Sequence, residues 1–333
     1  MKRFVLKVVV FLAILESISG FLLARQHYWY ADAADRFARA PIRFVFIGSS
    51  RVAQAVVGET FSGEMPRAGD IALNLGRGYS TLAEHFFGLG RLAAASPRGL
   101  RGTVVFLEAP EGMPDLSTWT DPWFQFEDRS LLLMTMRASD LPAFWSRSAG
   151  TFEDKVSISV GQVSSLAGLR GSWRYYARAG WHSLTGRMAG DGEADTDLSE
   201  AGGVQIGREK FIAARNFAEA LSRQAVQDQS ELNSQDVERS ILLSLASFLK
   251  KEGADFAVFT MPMSSVQKQP FLTEIGRKNR ELVAVALKRA GVPLLRVGFP
   301  TTDDDFPDLW HLRKSRAREF SCALARAYLA SRR

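Results

Sequence analysis

The sequence predicts an α/β protein built on a doubly wound parallel sheet. Five short apolar runs are spaced along the chain, at residues 44–47, 71–75, 103–107, 254–260 and 292–297. Uninterrupted runs of this kind are typical of strands that are buried on both faces of a parallel sheet. Segments with the apolar spacing of helices lie between several of these runs. Such alternation favours crossover connections with helices on both faces of the sheet.

Composition indicates a folded protein and gives no sign of nucleic-acid binding. The chain has 333 residues, 46% of them hydrophobic, so it can bury a large core in one or two domains. Its 42 basic and 36 acidic residues give a net charge of +6, but they are scattered along the sequence. Without a basic stripe or a nucleic-acid-binding motif, this excess is interpreted as a solvated surface, and no nucleic-acid partner is expected.

Cysteine and histidine patterns favour neither a metal nor a cofactor. Cys322 is the single cysteine, which excludes an intrachain disulfide and a thiolate zinc site. Its neighbours in the last predicted helix suggest a small buried side chain. The four histidines form no His-Glu-x-x-His pattern. We therefore expect no metal and no cofactor.

Residues 1–30 are predicted to be a membrane anchor or a signal sequence. A basic start precedes the apolar stretch 4–24, which Lys7 and Glu16 interrupt and whose length fits one membrane-spanning helix. Small residues at 17–20 suit a signal-peptide cut, but apolar residues 21–24 continue past them, so an uncleaved anchor is favoured. The prediction is a single-pass inner-membrane protein with residues 41–333 on the periplasmic side. Residues 31–41 are interpreted as a polar connector.

The first strand leads into a turn that is a candidate for chemistry. Residues 43–52 read RFVFIGSSRV, so Gly48 follows the strand and Ser50 stands just beyond it. Ligands of open α/β sheets gather at the carboxyl ends of the strands, and a glycine at the bend lets a side chain stand clear of the backbone. Ser50 is therefore a candidate nucleophile. The alternative is an ordinary turn, because Gly and Ser are common in turns for conformational reasons.

The second and third strands end in further candidates. Gly76 and Gly78 follow the second strand, where they allow the backbone to approach a ligand or simply form a strand-to-helix turn. Asn74, at the end of that strand, is a candidate for oxyanion or substrate binding together with Gly78. Glu108 ends the third strand and falls at the same edge if the sheet is parallel.

Residues 112–234 interrupt the alternation and are predicted to be an insertion. This segment holds five of the seven tryptophans and a Gly- and Asp-rich piece at 189–203 that suggests a mobile loop. Tryptophans usually pack, but Trp119 and Trp123 lie on a predicted turn and are candidates for a sugar-stacking platform.

The alternation returns in the C-terminal part and supplies partners for Ser50. Helices are predicted around residues 234–249, 271–290 and 313–332. Asp308 and His311 precede the last helix and follow the last strand. All three side chains can reach one carboxyl edge, where His311 would accept the Ser50 proton and Asp308 would hold the imidazolium.

This pattern resembles the SGNH, or GDSL-type, hydrolase superfamily, whose nucleophile follows the first strand and whose Asp-x-x-His precedes the final helix. The resemblance covers roughly residues 41–112 and 234–333 and implies a three-layer, flavodoxin-like sheet. It implies that Ser50, Asp308 and His311 form a catalytic triad and that Gly78 supplies an oxyanion N–H. Ser49 replaces the usual Asp of the first block, and no Gly-x-Asn-Asp follows the third strand.

The Gly-Ser-Ser turn behind an N-terminal anchor is more similar to the exported branch that O-acylates cell-envelope polymers, including alginate acetylation and teichoic-acid D-alanylation proteins. That branch implies an acyltransferase or esterase acting on a polysaccharide or acyl ester, with a membrane-bound O-acyltransferase as partner. The missing Asn leaves open a second class, a non-catalytic anchored accessory protein that binds glycan or partner.

Overall fold

Five strands pair into one parallel sheet, at the positions of the predicted apolar runs. The computed structural model describes residues 7, 9–18, 29–40, 42–67, 69–76, 82–109, 141–147, 152–164, 205–227, 229–238 and 240–332. The strand order is β2-β1-β3-β4-β5, and every neighbouring pair is parallel. The strands are β1 (Ile42–Ile47), β2 (Ile71–Asn74), β3 (Val104–Glu108), β4 (Asp255–Phe259) and β5 (Leu294–Leu295). The predicted α/β class with a parallel sheet is confirmed.

The strand order indicates where on the carboxyl edge of the sheet a ligand would bind. The chain runs from β1 outward to β2 and then returns past β1 to β3, so the winding direction reverses between β1 and β3. Open α/β sheets bind ligands at such a switch point. Ser50 begins just after β1, and Glu108 is the last residue of β3. Both therefore lie where a ligand site is expected.

Helices cover both faces of the sheet because successive strand residues point to opposite sides. Val45, Ile47 and Val105 belong to one core cluster, and Phe44, Phe46 and Phe106 belong to the other. The second cluster is rich in aromatic rings, and Phe46 stacks on Phe106 with ring centroids 4.8 Å apart. The layers are therefore helices, sheet and helices.

The helices comprise three groups along the chain. The N-terminal group is α1 (Trp29–Arg39), α2 (Ser50–Ala55), α3 (Gly58–Gly63) and α4 (Leu82–Ala95). The middle group is α5 (Leu141–Arg147), α6 (Phe152–Val163) and α7 (Gln205–Gln227). The C-terminal group is α8 (Ser234–Glu238), α9 (Ile241–Lys251), α10 (Ser265–Leu272), α11 (Glu274–Arg289) and α12 (Lys314–Ser331).

Three predictions about element boundaries were wrong. The predicted connector at 31–41 is mostly α1, because its alanines favour a helix and Ala33 and Phe37 bury one face of that helix in the core. The helix predicted near 234–249 is two helices, since Ser240 caps the second by accepting a hydrogen bond from a backbone N–H of its first turn. Thr273 likewise separates α10 from α11 within the helix predicted at 271–290.

The predicted insertion contributes helices in its described parts. Trp145 on α5 donates its ring N–H to the Ser159 hydroxyl of α6 at 2.7 Å, which is a packing role. Trp119, Trp123 and the segment 189–203 lie outside the described residues.

The N-terminal segment is helical over residues 9–18 and exposes apolar side chains, among them Phe11 and Ile14. Glu16 on this segment accepts a hydrogen bond from Ser164, just after α6. Within the described ranges, no helix combines the length and apolar character needed to cross a membrane.

Candidate active site

The turn after β1 is shaped by Gly48, whose φ of 151° lies where side chains are disfavoured. A Cβ on Gly48 would come within 2.5 Å of a Val52 methyl and 2.9 Å of the Glu108 Cγ. Ser49 then caps α2, because its hydroxyl accepts a hydrogen bond from the Arg51 N–H at 3.3 Å. Ser50 is the first residue of α2, so its backbone N–H has no acceptor within the helix.

Ser50, His311 and Asp308 form one hydrogen-bonded chain across the carboxyl edge of the sheet. The Ser50 Oγ lies 2.8 Å from the His311 Nε2, although the two residues are 261 positions apart. The His311 Nδ1 lies 2.6 Å from the Asp308 Oδ2. An Nδ1–H that donates to the carboxylate leaves Nε2 as the acceptor for the Ser50 hydroxyl. The arrangement can therefore remove a proton from Ser50.

Asp308 is held in place by its own loop. Its Oδ1 accepts hydrogen bonds from the backbone N–H groups of Trp310 and His311, at 2.9 and 2.7 Å. Burial alone would raise the pKa of Asp308, but the hydrogen bonds from His311 and Trp310 and the His311 charge outweigh it and lower that pKa. Asp308 is therefore ionised at neutral pH and can stabilise a protonated His311.

Two buried side chains at the start of α10 fix the loop that carries the triad. Leu309 has a φ of 61°, an uncommon conformation for a residue other than glycine. The Ser264 hydroxyl donates to the Leu309 carbonyl at 2.6 Å, and the Gln267 amide donates to the Trp310 carbonyl at 2.9 Å. Ser264 and Gln267 also form the capping box of α10. The helix start and the triad loop are thus one hydrogen-bonded unit.

Two further titratable side chains lie beneath the Ser50 turn. His85 on α4 is buried, and its Nε2 lies 3.1 Å from both the N and the O of Gly48. Glu108 is buried as well, and its Oε1 accepts the Ser49 N–H at 3.1 Å. Burial lowers the pKa of His85 from 6.5 to about 4, against a smaller opposing effect of the Gly48 hydrogen bond. His85 is therefore neutral at neutral pH.

The buried His85 predicts an acid-sensitive fold. Unfolding frees the imidazole to bind a proton near its ordinary pKa of 6.5, whereas the folded state resists protonation until about 4. The contribution of neutral His85 to the free energy of unfolding is therefore fully present above pH 6.5. It is lost as the pH falls, by about 1.5 kcal/mol between pH 6.5 and 5. Urea denaturation at several pH values measures this slope. His85→Gln should flatten it over that interval, and an unchanged slope would contradict the assignment.

Asn74 and Gly76 have structural partners in place of the predicted ligand. The Asn74 amide nitrogen donates to the carbonyls of Val52 and Val56, at 2.9 and 2.7 Å, and its oxygen accepts the Gly76 N–H at 2.8 Å. These bonds use both amide hydrogens. A Cβ on Gly76 would come within 2.5 Å of the Ala53 nitrogen. The absence of a side chain at this position therefore allows α2 to pack closely against the end of β2. We therefore revise the prediction for Asn74: it anchors α2.

Three predicted site residues lie in parts of the chain that the structure does not describe. Gly78, Trp119 and Trp123 lie outside the described residues. No group of three His, Cys, Asp or Glu side chains suited to a metal occurs in the described part of the chain. Cys322, predicted to be buried, is partly exposed on α12, and burial is the main cause that raises its pKa.

Three residues that support the site, His85, Ser264 and Gln267, were not predicted from the sequence. A Ser three residues before a Gln is the capping-box pattern, so a helix that begins after a Ser264 cap is predictable from the sequence. His85 lies on a predicted helix with no distinguishing neighbour, and only its contact with Gly48 reveals its position.

No protein-family model matches this chain, and no curated protein matches it.

Proposed function

We propose that this protein is an SGNH-type serine acyltransferase or esterase that acts on an exopolysaccharide or cell-envelope glycan. The observation that carries the proposal is the chain of hydrogen bonds from Ser50 through His311 to Asp308 at the switch point of the sheet. A nucleophile, a base and an orienting carboxylate in this order are the parts that acyl transfer requires. The acyl group is taken to be acetyl, as in the exported branch that the sequence resembles.

The first half of the reaction forms an acyl-enzyme. His311 Nε2 accepts the proton of Ser50 as its Oγ attacks the acyl carbonyl carbon, and the carbonyl oxygen becomes an oxyanion. The backbone N–H of Ser50, which has no acceptor within α2, is a donor for that oxyanion. His311 then gives its proton to the departing alcohol or donor group as the bond to the acyl carbon breaks. Asp308 stabilises the imidazolium between these two steps.

The second half returns Ser50 to its free form. A hydroxyl of the glycan, or water, loses its proton to His311 and attacks the acyl-Ser50 carbonyl. Collapse of the second tetrahedral intermediate passes the proton back to Ser50. Attack by a sugar hydroxyl gives acyl transfer, and attack by water gives ester hydrolysis. A membrane-bound O-acyltransferase is the proposed source of acyl groups for the transfer reaction.

One observation favours a non-catalytic accessory protein as the second candidate. The resemblance calls for an Asn donor after the third strand, but β3 ends in Glu108, and the amide of Asn74 is occupied by α2. An oxyanion site with fewer donors loses about 100-fold to 1,000-fold in kcat for each one. Such a protein would bind glycan or the acyltransferase without turnover.

A serine-directed probe separates the two candidates. We expect the folded full-length chain to react with a fluorophosphonate and to release acetate from an acetylated model ester. Mass spectrometry should then find the added mass on the peptide that contains Ser50. A folded protein that binds polysaccharide but neither reacts with the probe nor releases acetate would favour the accessory role.

We also propose an inner-membrane, single-pass location with residues 41–333 on the periplasmic side. The support is the apolar stretch 4–24 and the exposed apolar side chains of residues 9–18. The full-length chain is expected in the membrane fraction and a chain shortened to begin at Gln26 in the soluble fraction. The cut must precede α1, because Ala33 and Phe37 are buried in the core. A mature chain beginning near Phe21 in the soluble periplasmic fraction would indicate a cleaved signal peptide.

A further inference from the structure

Glu108 lies directly beneath the turn that carries Ser50. It ends β3, its residue is 2% exposed, and its Cγ and Cδ lie within 3.0 Å of the position that a Gly48 Cβ would occupy. Its Oε1 accepts the Ser49 N–H at 3.1 Å and lies 3.7 Å from the Arg51 Nη2. The carboxylate thus contacts the residue on each side of Ser50.

The contacts of Glu108 are too few to explain its burial as a stabilising feature. Its Oε2 is buried, and no hydrogen-bond partner for it occurs among the residues that the structure describes. A buried carboxylate with one N–H donor and a long ion pair is poorly compensated, and an apolar side chain of similar volume is often at least as stable. Arrangements that cost stability are concentrated at functional sites.

The position of the Ser49 N–H controls where Ser50 points. The plane of the peptide that joins Gly48 to Ser49 is fixed at its nitrogen by Glu108, while His85 contacts Gly48 from α4. Ser50 follows immediately, and its Oγ must stay within hydrogen-bond reach of His311. Displacement of a reacting atom by about 1 Å can cost about 100-fold in rate. A residue that fixes the position of this turn is therefore expected to have a large effect on kcat.

We propose that Glu108 is a positioning residue that holds the Ser50 turn and that Arg51 balances its charge beside the developing oxyanion. This inference rests on the proposed function of Ser50. A negative charge close to an oxyanion raises the barrier unless a cation offsets it. Arg51 is the described cation that faces Glu108, and its side chain is 13% exposed, so solvent screens the pair weakly. Positioning by Glu108 and neutralisation by Arg51 are thus separate effects that mutations can resolve.

The test compares full-length variants in detergent for acetate release, probe-labelling rate and melting temperature. Glu108→Gln keeps an oxygen for the Ser49 N–H and should retain kcat within about tenfold, because the turn stays in place. Glu108→Met has similar volume but no acceptor, and kcat should fall about 100-fold with KM nearly unchanged. The matched control is Glu238→Met, since Glu238 and Arg289 form an exposed pair at 3.8 Å, and this change should leave every readout unaltered.

The charge effect has its own signature. Arg51→Met should lower kcat strongly in the protein that retains Glu108 but only weakly in the Glu108→Gln background. The effects of the two substitutions on kcat would then be coupled in a double-mutant cycle. Equal losses in both backgrounds would overturn the neutralising role of Arg51. Equal kcat values for Glu108→Met, Glu108→Gln and the unaltered chain would overturn the positioning role. If Glu108→Met does not fold, Glu108→Leu takes its place as the variant without an acceptor for the Ser49 N–H, and the Arg51 cycle tests the charge effect independently.

Amide hydrogen exchange at Ser49 keeps this inference separate from the proposed function. Glu108→Met should speed exchange of the Ser49 N–H, whereas Glu108→Gln should keep it protected. If the unaltered protein is not labelled at Ser50, the proposed function fails, but the exchange rates still report on the hold of Glu108. Equal protection of Ser49 in all three forms would show that Glu108 does not hold the turn.

Discussion

Ser50→Ala and His311→Ala are each expected to lower kcat by about 10⁴-fold to 10⁶-fold while the protein stays folded. A free serine hydroxyl is a poor nucleophile at neutral pH, and the 2.8 Å contact with the His311 Nε2 is what activates it. Because the two residues act as one unit, the double variant should be no slower than either single variant. Acetate release from a model ester and probe labelling measure the loss.

Ser49→Ala is the matched control for Ser50→Ala. The Ser49 hydroxyl caps α2 by accepting the Arg51 N–H, so it is directed to the backbone of the helix. We expect this variant to keep substantial activity and to lose about 1 kcal/mol of stability through the missing cap. Labelling of Ser49 in place of Ser50, or full turnover by Ser50→Ala, would remove Ser50 from the nucleophile role. The accessory-protein alternative would be preferred if the probe labelled neither serine and no acetate were released.

The sheet was predictable because its signals are local. Each central strand is an unbroken apolar run, and such runs need no knowledge of their partners to be recognised. The approximate positions of the strands therefore followed from the sequence. Strand β5 was predicted at 292–297 but pairs only over Leu294–Leu295, since ladder formation depends on the neighbouring strand and not on composition alone.

Helix boundaries were less predictable because side-chain caps compete with helical periodicity. Ser240 and Thr273 each interrupt an apolar pattern that would otherwise continue, and both do so by bonding to a nearby backbone N–H. The prediction of a connector before β1 was wrong for a different reason. The composition of this segment predicts a polar linker, but the spacing of Ala33 and Phe37 allows one helix face to pack against α4 and the core.

The candidate triad followed from chemistry, whereas its supports depend on contacts distant in sequence. Ser, Asp and His of a given spacing are recognisable in a sequence because few roles require them together. Glu108 and His85 reach the Ser49 and Gly48 turn from 59 and 37 residues away, and no local pattern encodes those contacts. The Asn74 prediction needed revision because a polar side chain at a strand end can face a helix as easily as a ligand.

Asp308→Asn is expected to lower kcat by about 10⁴-fold with little change in the fold. The Asp308 Oδ2 accepts the His311 Nδ1–H at 2.6 Å, and this bond leaves Nε2 free to accept the Ser50 proton. An Asn amide nitrogen at the same position would donate to Nδ1, and the proton would move to Nε2. His311 could then not act as a base. The loss of the carboxylate charge would also leave the imidazolium unstabilised.

The loop geometry allows Asp308→Asn to change the chemistry of the triad while the hydrogen bonds that hold the loop are kept. An Asn oxygen can still accept the N–H groups of Trp310 and His311 that now bond to Asp308 Oδ1, so the melting temperature at neutral pH should stay near that of the unaltered protein. Asp308→Ala lacks this oxygen and should melt lower. The lowered pKa of Asp308 stabilises the folded state above the ordinary value of 3.8, and that contribution is lost as the pH falls through the lowered folded-state pKa. Asp308→Asn should lack this acid transition. If it keeps kcat within tenfold while Ser50→Ala is inactive, His311 is oriented by a group other than Asp308.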